Sequence, residues 1–467
     1  MKINLADKNT KRALPPQWIA AGVFFAAIVI GAFLLMLPFA SVADGSLQPL
    51  SAFFTATSAV CVTGLTVIDI GTELTLFGQL VVLMLIQLGG LGIMTIGTFL
   101  LVVVGQRLSL QSENVLMNTY GTDDAYSLRS LLKLTIIFTL LFEATGAILL
   151  WQCYLFPPEE YADLMGNGAA KPIYYAVFHS ISAFCNAGFS LHSSSLVYFQ
   201  NSPVYMLTVS ALVITGGLGF IVIFNITQLK LWRRNLMTRG RISLHSRVVL
   251  LSTLVLLSVS TVLILFQEWD NTLGDIPMLH NKICTSFFQA MTPRTAGFNA
   301  VPMTELHEST RFTTSLLMFV GGSPGSAAGG IKTTTLFVLI MTIISICKGR
   351  SQTIIAHRCV PPRVVREAII IFLLFLFGVL CAYALLLHSE QPETPGRASN
   401  LFFETVSAFA TVGLSMDTTP TLSRMGEFII MVCMYVGRLG PMTAALLIGN
   451  RKIVERIRYP EEEIEVG

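Results

Sequence analysis

Long apolar runs alternate along the chain with short ones, in a recurring order of long, short, long. The long runs are Trp18 to Ala40 and Leu74 to Val104, Leu131 to Phe156 and Val204 to Trp232, Val248 to Phe266 and Phe312 to Cys347, and Val364 to Leu387 and Phe428 to Ile448. At about 1.5 Å per residue, each is about long enough to cross the ~30 Å of a bilayer's hydrocarbon. The short runs, Leu50 to Cys61, Ile173 to Cys185, Met278 to Met291 and Ala398 to Ala410, are not. They predict re-entrant helices that enter and turn back. The expected fold is an all-α membrane protein with eight transmembrane helices and four re-entrant ones.

A shared register supports four repeats. A phenylalanine stands ten positions before a glycine in each short segment: Phe54 and Gly64, Phe178 and Gly188, Phe287 and Gly297, Phe403 and Gly413. Six positions before each glycine stand Ser58, Ser182, Met291 and Ser407; two after it stand Thr66, Ser190, Asn299 and Ser415. Repeats of this size are the first feature to explain. They divide the chain into an N-terminal segment (1–17), unit 1 (18–128), unit 2 (129–242), unit 3 (243–360), unit 4 (361–450) and a C-terminal tail (451–467).

Composition agrees with a bilayer. The chain is 53% hydrophobic and 12% charged, with mean hydropathy +0.69, against roughly 25% charged for a soluble domain. No cleavable signal peptide precedes the first span. Charge then orients the spans. Basic residues follow each second span: Arg107, Arg129 and Lys133; Lys230, Arg233 and Arg234; Lys348, Arg350 and Arg358; Arg451 and Lys452. Acidic residues follow each first span: Asp44; Glu159, Glu160 and Asp163; Glu268, Asp270 and Asp275; Glu390 and Glu393. The positive-inside rule puts both termini in the cytoplasm and the four glycine loops outside. The eight cysteines include no CxxC and the seven histidines no HExxH, so buried free thiols and no metal site are expected.

Irregular backbone at membrane depth is tolerated only where it is buried in protein or lines a water-filled cavity. Four such loops around one axis would supply converging rings of carbonyls, the arrangement by which a potassium filter replaces an ion's hydration shell. Such backbone needs conformations that glycine adopts freely. Glycines also serve helix packing, and that is the reading for Gly89, Gly90 and Gly92 and for Gly216, Gly217 and Gly219.

CVTGLT, CNAGFS, RTAGFN and ATVGLS resemble the four filter loops of the Trk, Ktr and HKT superfamily of potassium transporters, and the likeness covers nearly the whole chain. It implies pseudo-fourfold units of outer helix, pore helix and inner helix. K+ would then meet the backbone carbonyls of Val62, Thr63 and Gly64; Asn186, Ala187 and Gly188; Thr295, Ala296 and Gly297; and Thr411, Val412 and Gly413. A glycine in the first loop implies preference for potassium. The start of the first span near residue 18 is similar to the KtrB branch of the family. The resemblance further implies a homodimer in the plasma membrane, docked to a cytoplasmic KtrA-like ring whose subunits carry ATP or ADP. The chain itself has no Rossmann fingerprint, and neither a cofactor of its own nor a nucleic-acid partner is expected.

The second span of unit 3 is interrupted by Gly321, Gly322, Ser323, Pro324, Gly325, Ser326, Ala327, Ala328, Gly329 and Gly330. In a helix each glycine costs about 1 kcal/mol and proline about 3 relative to alanine, so an unwound loop is expected. It is similar to the family's intramembrane gating loop. Gly325 and Gly330 also have phosphate-loop spacing before Lys332, but Ile331 breaks the motif and no soluble strand precedes it. Arg438 lies within a span, where a charge costs at least a few kcal/mol unless it faces a cavity or partner. It matches the family's inner-helix arginine, while Lys332 either adds to that charge or pairs at a broken helix end. For Glu143 and Glu404, helix-end capping or interhelical bonds are expected.

Two other classes of function are open to test. An alternating-access cation symporter would carry inverted or twofold repeats and two matched broken helices; the sequence predicts parallel repeats and one broken span. A membrane enzyme would need a cluster of catalytic side chains, which the sequence lacks. Sodium dependence of potassium uptake is left open.

Overall fold

The computed structural model describes residues 16–43, 45–91, 125–156, 170–227, 242–356, 358–391 and 396–440. The basic N-terminal segment, the ends of the spans predicted to reach Val104, Trp232 and Ile448, the C-terminal tail and many topology charges, among them Asp44, Arg107, Glu159 and Arg233, lie outside these residues.

The described residues form helices in the predicted order. They are α1 (Pro16–Leu35), α2 (Pro49–Cys61), α3 (Leu76–Gly90), α4 (Ala125–Leu155), α5 (Ala170–Phe184), α6 (Pro203–Leu218) and α7 (Phe220–Thr227). There follow α8 (Leu244–Gln267), α9 (Leu279–Met291), α10 (Glu308–Met318), α11 (Thr333–Cys347), α12 (Pro362–Glu390), α13 (Arg397–Phe409) and α14 (Arg424–Leu439). The short helices α2, α5, α9 and α13 match the four predicted re-entrant segments to within three residues at each end. Side chains fix several starts: the Thr75 hydroxyl accepts from Gly78 N–H and the Ser423 hydroxyl from Gly426 N–H, satisfying donors that the first helical turn leaves unpaired. Carboxylates ending α8 and α12 pin the starts of α10 and α14, each beyond the intervening short helix. Buried Glu268 accepts from His307 N–H at 3.0 Å and Thr310 Oγ1 at 2.5 Å, and Glu390 accepts from Ser423 N–H at 3.0 Å.

Among the described residues, Leu134–Leu155, Leu244–Gln267 and Pro362–Glu390 are each long and apolar enough to cross a membrane. Polarity is inverted relative to a soluble globule. Phe377, Leu380 and Leu385 of α12 and Leu254 of α8 are exposed, whereas Thr55, Ser58, Ser182, Thr285 and Glu404 are buried.

The four short helices are joined in a closed circuit. The helix after each one packs against the next short helix along the chain: α3 on α5, α6 on α9, α10 on α13, and α14 back on α2. Within a unit, glycines also let this helix close on its own short helix. A Cβ added to Gly89, Gly216 or Gly437 would strike the carbonyl oxygen of Val60, Phe184 or Phe409, each four residues before a loop glycine. The packing reading holds for Gly89 and Gly216.

It does not hold for Gly219. The chain bends by 95° between α6 and α7, at Gly219 with φ +85° and ψ 142°. The expectation of a single broken span is therefore incorrect. The cause is an exchange of backbone hydrogen bonds with the second break, between α10 and α11. Phe220 N–H donates to Gly325 O at 3.1 Å, while Gly217 O accepts from Ser323 N–H at 3.0 Å. Each interruption satisfies main-chain groups that the other leaves unpaired, as buried backbone requires.

The cysteines are free. Cys61, Cys185 and Cys433 are buried as expected; Cys347, Cys359 and Cys381 are exposed, which corrects the reading of the whole set as buried.

Candidate functional site

The four aligned glycines meet in one ring. A Cβ built on Gly64 would lie 2.5 Å from Ala187 O; on Gly188, 2.9 Å from Ala296 O; on Gly297, 2.6 Å from Val412 O. On Gly413 it would strike Thr63 O, which closes the circle. Each glycine thus abuts the carbonyl of the residue before the next glycine, and no side chain larger than hydrogen fits without displacing main chain. Loops 2 and 4 stand opposite each other, as do loops 1 and 3.

The backbone conformation repeats with the register. Gly64, Gly188, Gly297 and Gly413 have φ of +97°, +72°, +78° and +92°, and two positions earlier Val62, Asn186, Thr295 and Thr411 have φ of +56°, +57°, +68° and +53°. The residue between has negative φ. Alternating hand brings successive peptide groups to one face of the strand. Three of the four earlier residues are β-branched, and each such conformation costs of order 1–3 kcal/mol.

Hydrogen bonds from the short helices hold this geometry. The carbonyls of Ser58, Ser182 and Ser407 accept from Thr63, Ala187 and Val412 N–H at 2.8 Å each. The Ser58 and Ser407 hydroxyls accept from Gly64 and Gly413 N–H at 3.1 Å, and the Ser182 hydroxyl donates to Phe189 O at 2.8 Å. Met291 has no hydroxyl at this register, and Thr292, one residue later, donates to Phe298 O instead. On one side of the ring the four glycines open into a cavity of about 550 Å³, lined also by Asp69, Glu73, Ser190, His192, Asn299 and Asp417.

The loop between α10 and α11 lies on the other side. A Cβ on Gly329 would strike Thr411 Oγ1 and lie 3.0 Å from Ala410 O. The loop ends are cross-linked: Gly321 N–H donates to Ile331 O at 3.0 Å and Ile331 N–H to Phe319 O at 3.1 Å. The Ser323 hydroxyl bonds the carbonyls of Gly217 and Leu218 at the α6 break. Arg438, on α14, donates through Nη1 to Ala327 O and through Nη2 to Gly89 O, so its guanidinium ties the loop to α3. Lys332 Nζ donates to Ala328 O at 2.6 Å, within the loop. Among the described residues neither cation has a carboxylate partner.

Of the two membrane carboxyls, Glu143 makes the expected interhelical bond, whereas Glu404 neither caps a helix end nor bridges two spans but bonds the loop that follows its own helix. Glu143 of α4 accepts from Gln87 Nε2 of α3 at 3.3 Å, an interhelical bond. Glu404 of α13 accepts from Ser415 Oγ, Met416 N–H and Thr419 Oγ1, all in or just beyond loop 4. Sequence reading took Gly219 for a packing glycine and did not single out Thr292 or His179, whose ring contacts Ser190 just past Gly188. The glycine register could have found His179, which occupies the position of Glu404.

Comparison with known proteins agrees with this architecture. The model of the TrkH family of cation transport proteins matches residues 6–454. The Ktr system potassium uptake protein B of Bacillus subtilis is 36% identical over 99% of both chains. The potassium/sodium uptake protein NtpJ of Enterococcus hirae is 36% identical over 98% of both. The crystal structure of the potassium transporter TrkH from Vibrio parahaemolyticus superposes with a TM-score of 0.70 at 19% identity, covering 94% of this chain and 86% of that one. With its ring of glycine loops, helical fold and match over nearly its whole length, the chain belongs to the TrkH family of cation transport proteins.

Proposed function

We propose that this chain takes up potassium through a K+-selective, channel-like pore of four repeats around one axis. The filter is formed by the carbonyls of Val62 to Gly64, Asn186 to Gly188, Thr295 to Gly297 and Thr411 to Gly413. The cyclic abutment of each glycine on its neighbour's carbonyl carries this reading: four short backbone segments of matching handedness, held at one level, can replace the hydration shell of a dehydrated cation. The names of the Bacillus and Enterococcus relatives support potassium as the cargo, and the latter's keeps sodium in view as a coupling or second ion.

The gate is Gly321 to Gly330 with Lys332 and Arg438. The loop lies across the ring from the outer cavity, and Arg438 spans from it to α3, placing fixed positive charge where cations would emerge. Opening requires the loop and the guanidinium to part. Family membership and the charge pattern support a homodimer in the plasma membrane, both termini in the cytoplasm, controlled there by a KtrA-like ring that binds ATP or ADP.

The second broken helix bears on the symporter alternative. Gly219 and Gly440 have nearly the same geometry, φ +85°, ψ 142° and φ +86°, ψ 137°, and each lies three residues after a glycine packed on a short helix. The same glycine conformation thus ends the described helix in units 2 and 4, so the breaks do not single out α6 and the α10–α11 helix as one matched pair.

The test is cation flux into liposomes holding the purified protein. Wild type should pass K+ over Na+, and Gly64→Ser should lower that preference about tenfold, equivalent to about 1.4 kcal/mol. Saturable flux that requires a second solute and ignores the substitution overturns the pore in favour of a symporter.

A further inference from the structure

The register that aligns the loops exposes a second correspondence. Nine positions before each loop glycine stand Thr55, His179, Phe288 and Glu404. In units 2 and 4 this position carries a buried acceptor aimed at the outer lip of its own loop. Glu404 Oε1 accepts from Ser415 Oγ at 2.5 Å and from Met416 N–H at 3.0 Å. His179 Nε2 lies 3.1 Å from Ser190 Oγ and 3.4 Å from Leu191 N–H. A backbone N–H can only donate, so Nε2 carries the lone pair, and Nδ1–H is free to donate to Tyr175 O at 2.8 Å. The donors match residue for residue: the hydroxyl two positions after the glycine and the amide three positions after it.

Units 1 and 3 lack the device. Phe288 has no acceptor, and the Thr55 hydroxyl is buried with no partner in its loop. The lip of loop 3 is held from outside its unit, by Ser195 Oγ accepting from Asn299 N–H at 3.2 Å. The two equipped loops stand opposite each other, since the ring runs 1, 2, 3, 4.

We infer that His179 and Glu404 are positioning residues for ion selection: a diametric pair of buried acceptors that fixes the outer lip of loops 2 and 4 and so sets the spacing of the carbonyls below. The inference rests on the filter reading proposed above. Beyond the bonds all four loops make to their own helices, the lips of loops 2 and 4 carry this additional clamp, whereas the lip of loop 3 is bonded by Ser195 of unit 2. Widening of the ring, which favours passage of the wrong cation, is resisted along one diameter by these four bonds. An imidazole and a carboxylate serve alike because the position demands an acceptor, not a charge.

The test compares K+ and Na+ flux in liposomes for His179→Phe, which installs the side chain of unit 3, and for Glu404→Leu, Glu404→Gln and Gly64→Ser. His179→Phe and Glu404→Leu should each lower the K+/Na+ ratio about fivefold, corresponding to two lost hydrogen bonds in part relieved by water. Glu404→Gln retains an acceptor oxygen and should restore most of the ratio. If a substitution prevents folding, Ser190→Ala and Ser415→Ala remove the donors from the loop side and should lower the ratio in the same direction. Folded variants with lower thermal stability and an unchanged ratio would show packing alone and overturn the inference, provided Gly64→Ser does relax selectivity. Failure of Gly64→Ser as well would instead overturn the filter.

Discussion

At Gly413 two independent constraints meet: φ of +92° and the Thr63 carbonyl against the space a Cβ would fill. A non-glycine residue there carries about 1–3 kcal/mol of backbone strain as well as the displacement of main chain. Gly413→Ala should lower the thermal midpoint in detergent by several degrees and abolish K+ preference in whatever protein folds, measured by a thermal shift and by flux. Arg438 is the other decisive residue. Hydrogen bonds to a charged donor contribute about 1.5–3 kcal/mol each, and its guanidinium makes two, to Ala327 O and Gly89 O. Arg438→Ala should raise regulator-free flux about tenfold or more, with Arg438→Lys between, since an ammonium is a point charge without the fork that reaches two carbonyls. Wild-type flux from folded Arg438→Ala would remove this residue from the gate.

At the scale of elements, the α6–α7 and α10–α11 interruptions behave as one structure because they share backbone hydrogen bonds. Ser323 is the joint between them, bonded through N–H and hydroxyl to Gly217 and through its hydroxyl to Leu218. Ser323→Ala should weaken the junction by about 1–2 kcal/mol and increase basal flux, while also increasing amide exchange across residues 216–220. Exchange that rises without any change in flux would separate the bend from gating. Deleting part of Gly325 to Gly330 should give the larger flux increase. The bend was hidden from sequence reading because GGLG in α6 has the composition of an ordinary membrane packing face, and only a donor from another unit turns Gly219 out of the helix.

For the whole molecule, orientation is the open prediction. Cys347 and Cys359 are exposed and flank Arg350 and Arg358, and the positive-inside rule puts them in the cytoplasm. A membrane-impermeant maleimide should label them in inverted vesicles and not in intact cells, whereas Ser193→Cys, at the cavity on the other side of the ring, should show the reverse. Labelling of Cys347 and Cys359 from outside would invert the topology and with it the assignment of filter mouth and gate. Cys381, among the outward apolar residues of α12, should resist the polar reagent in both preparations.

The sequence by itself determined the element types and the register. Run length separates Pro49–Cys61 from Pro362–Glu390, and a glycine at fixed distance from a phenylalanine marks each loop, because both are local properties of a chain against a bilayer. It also determined the broken helix of unit 3, whose glycines and proline leave no continuous helix to form. Which carbonyl each glycine faces, that Arg438 bridges α3 to the loop, that Thr292 replaces the missing serine of unit 3, and that His179 and Glu404, aligned by the register, bond corresponding loop donors were decided only in the tertiary structure. Each joins segments far apart along the chain or equates residues of different chemistry, and a local pattern of apolar and polar positions carries no record of either.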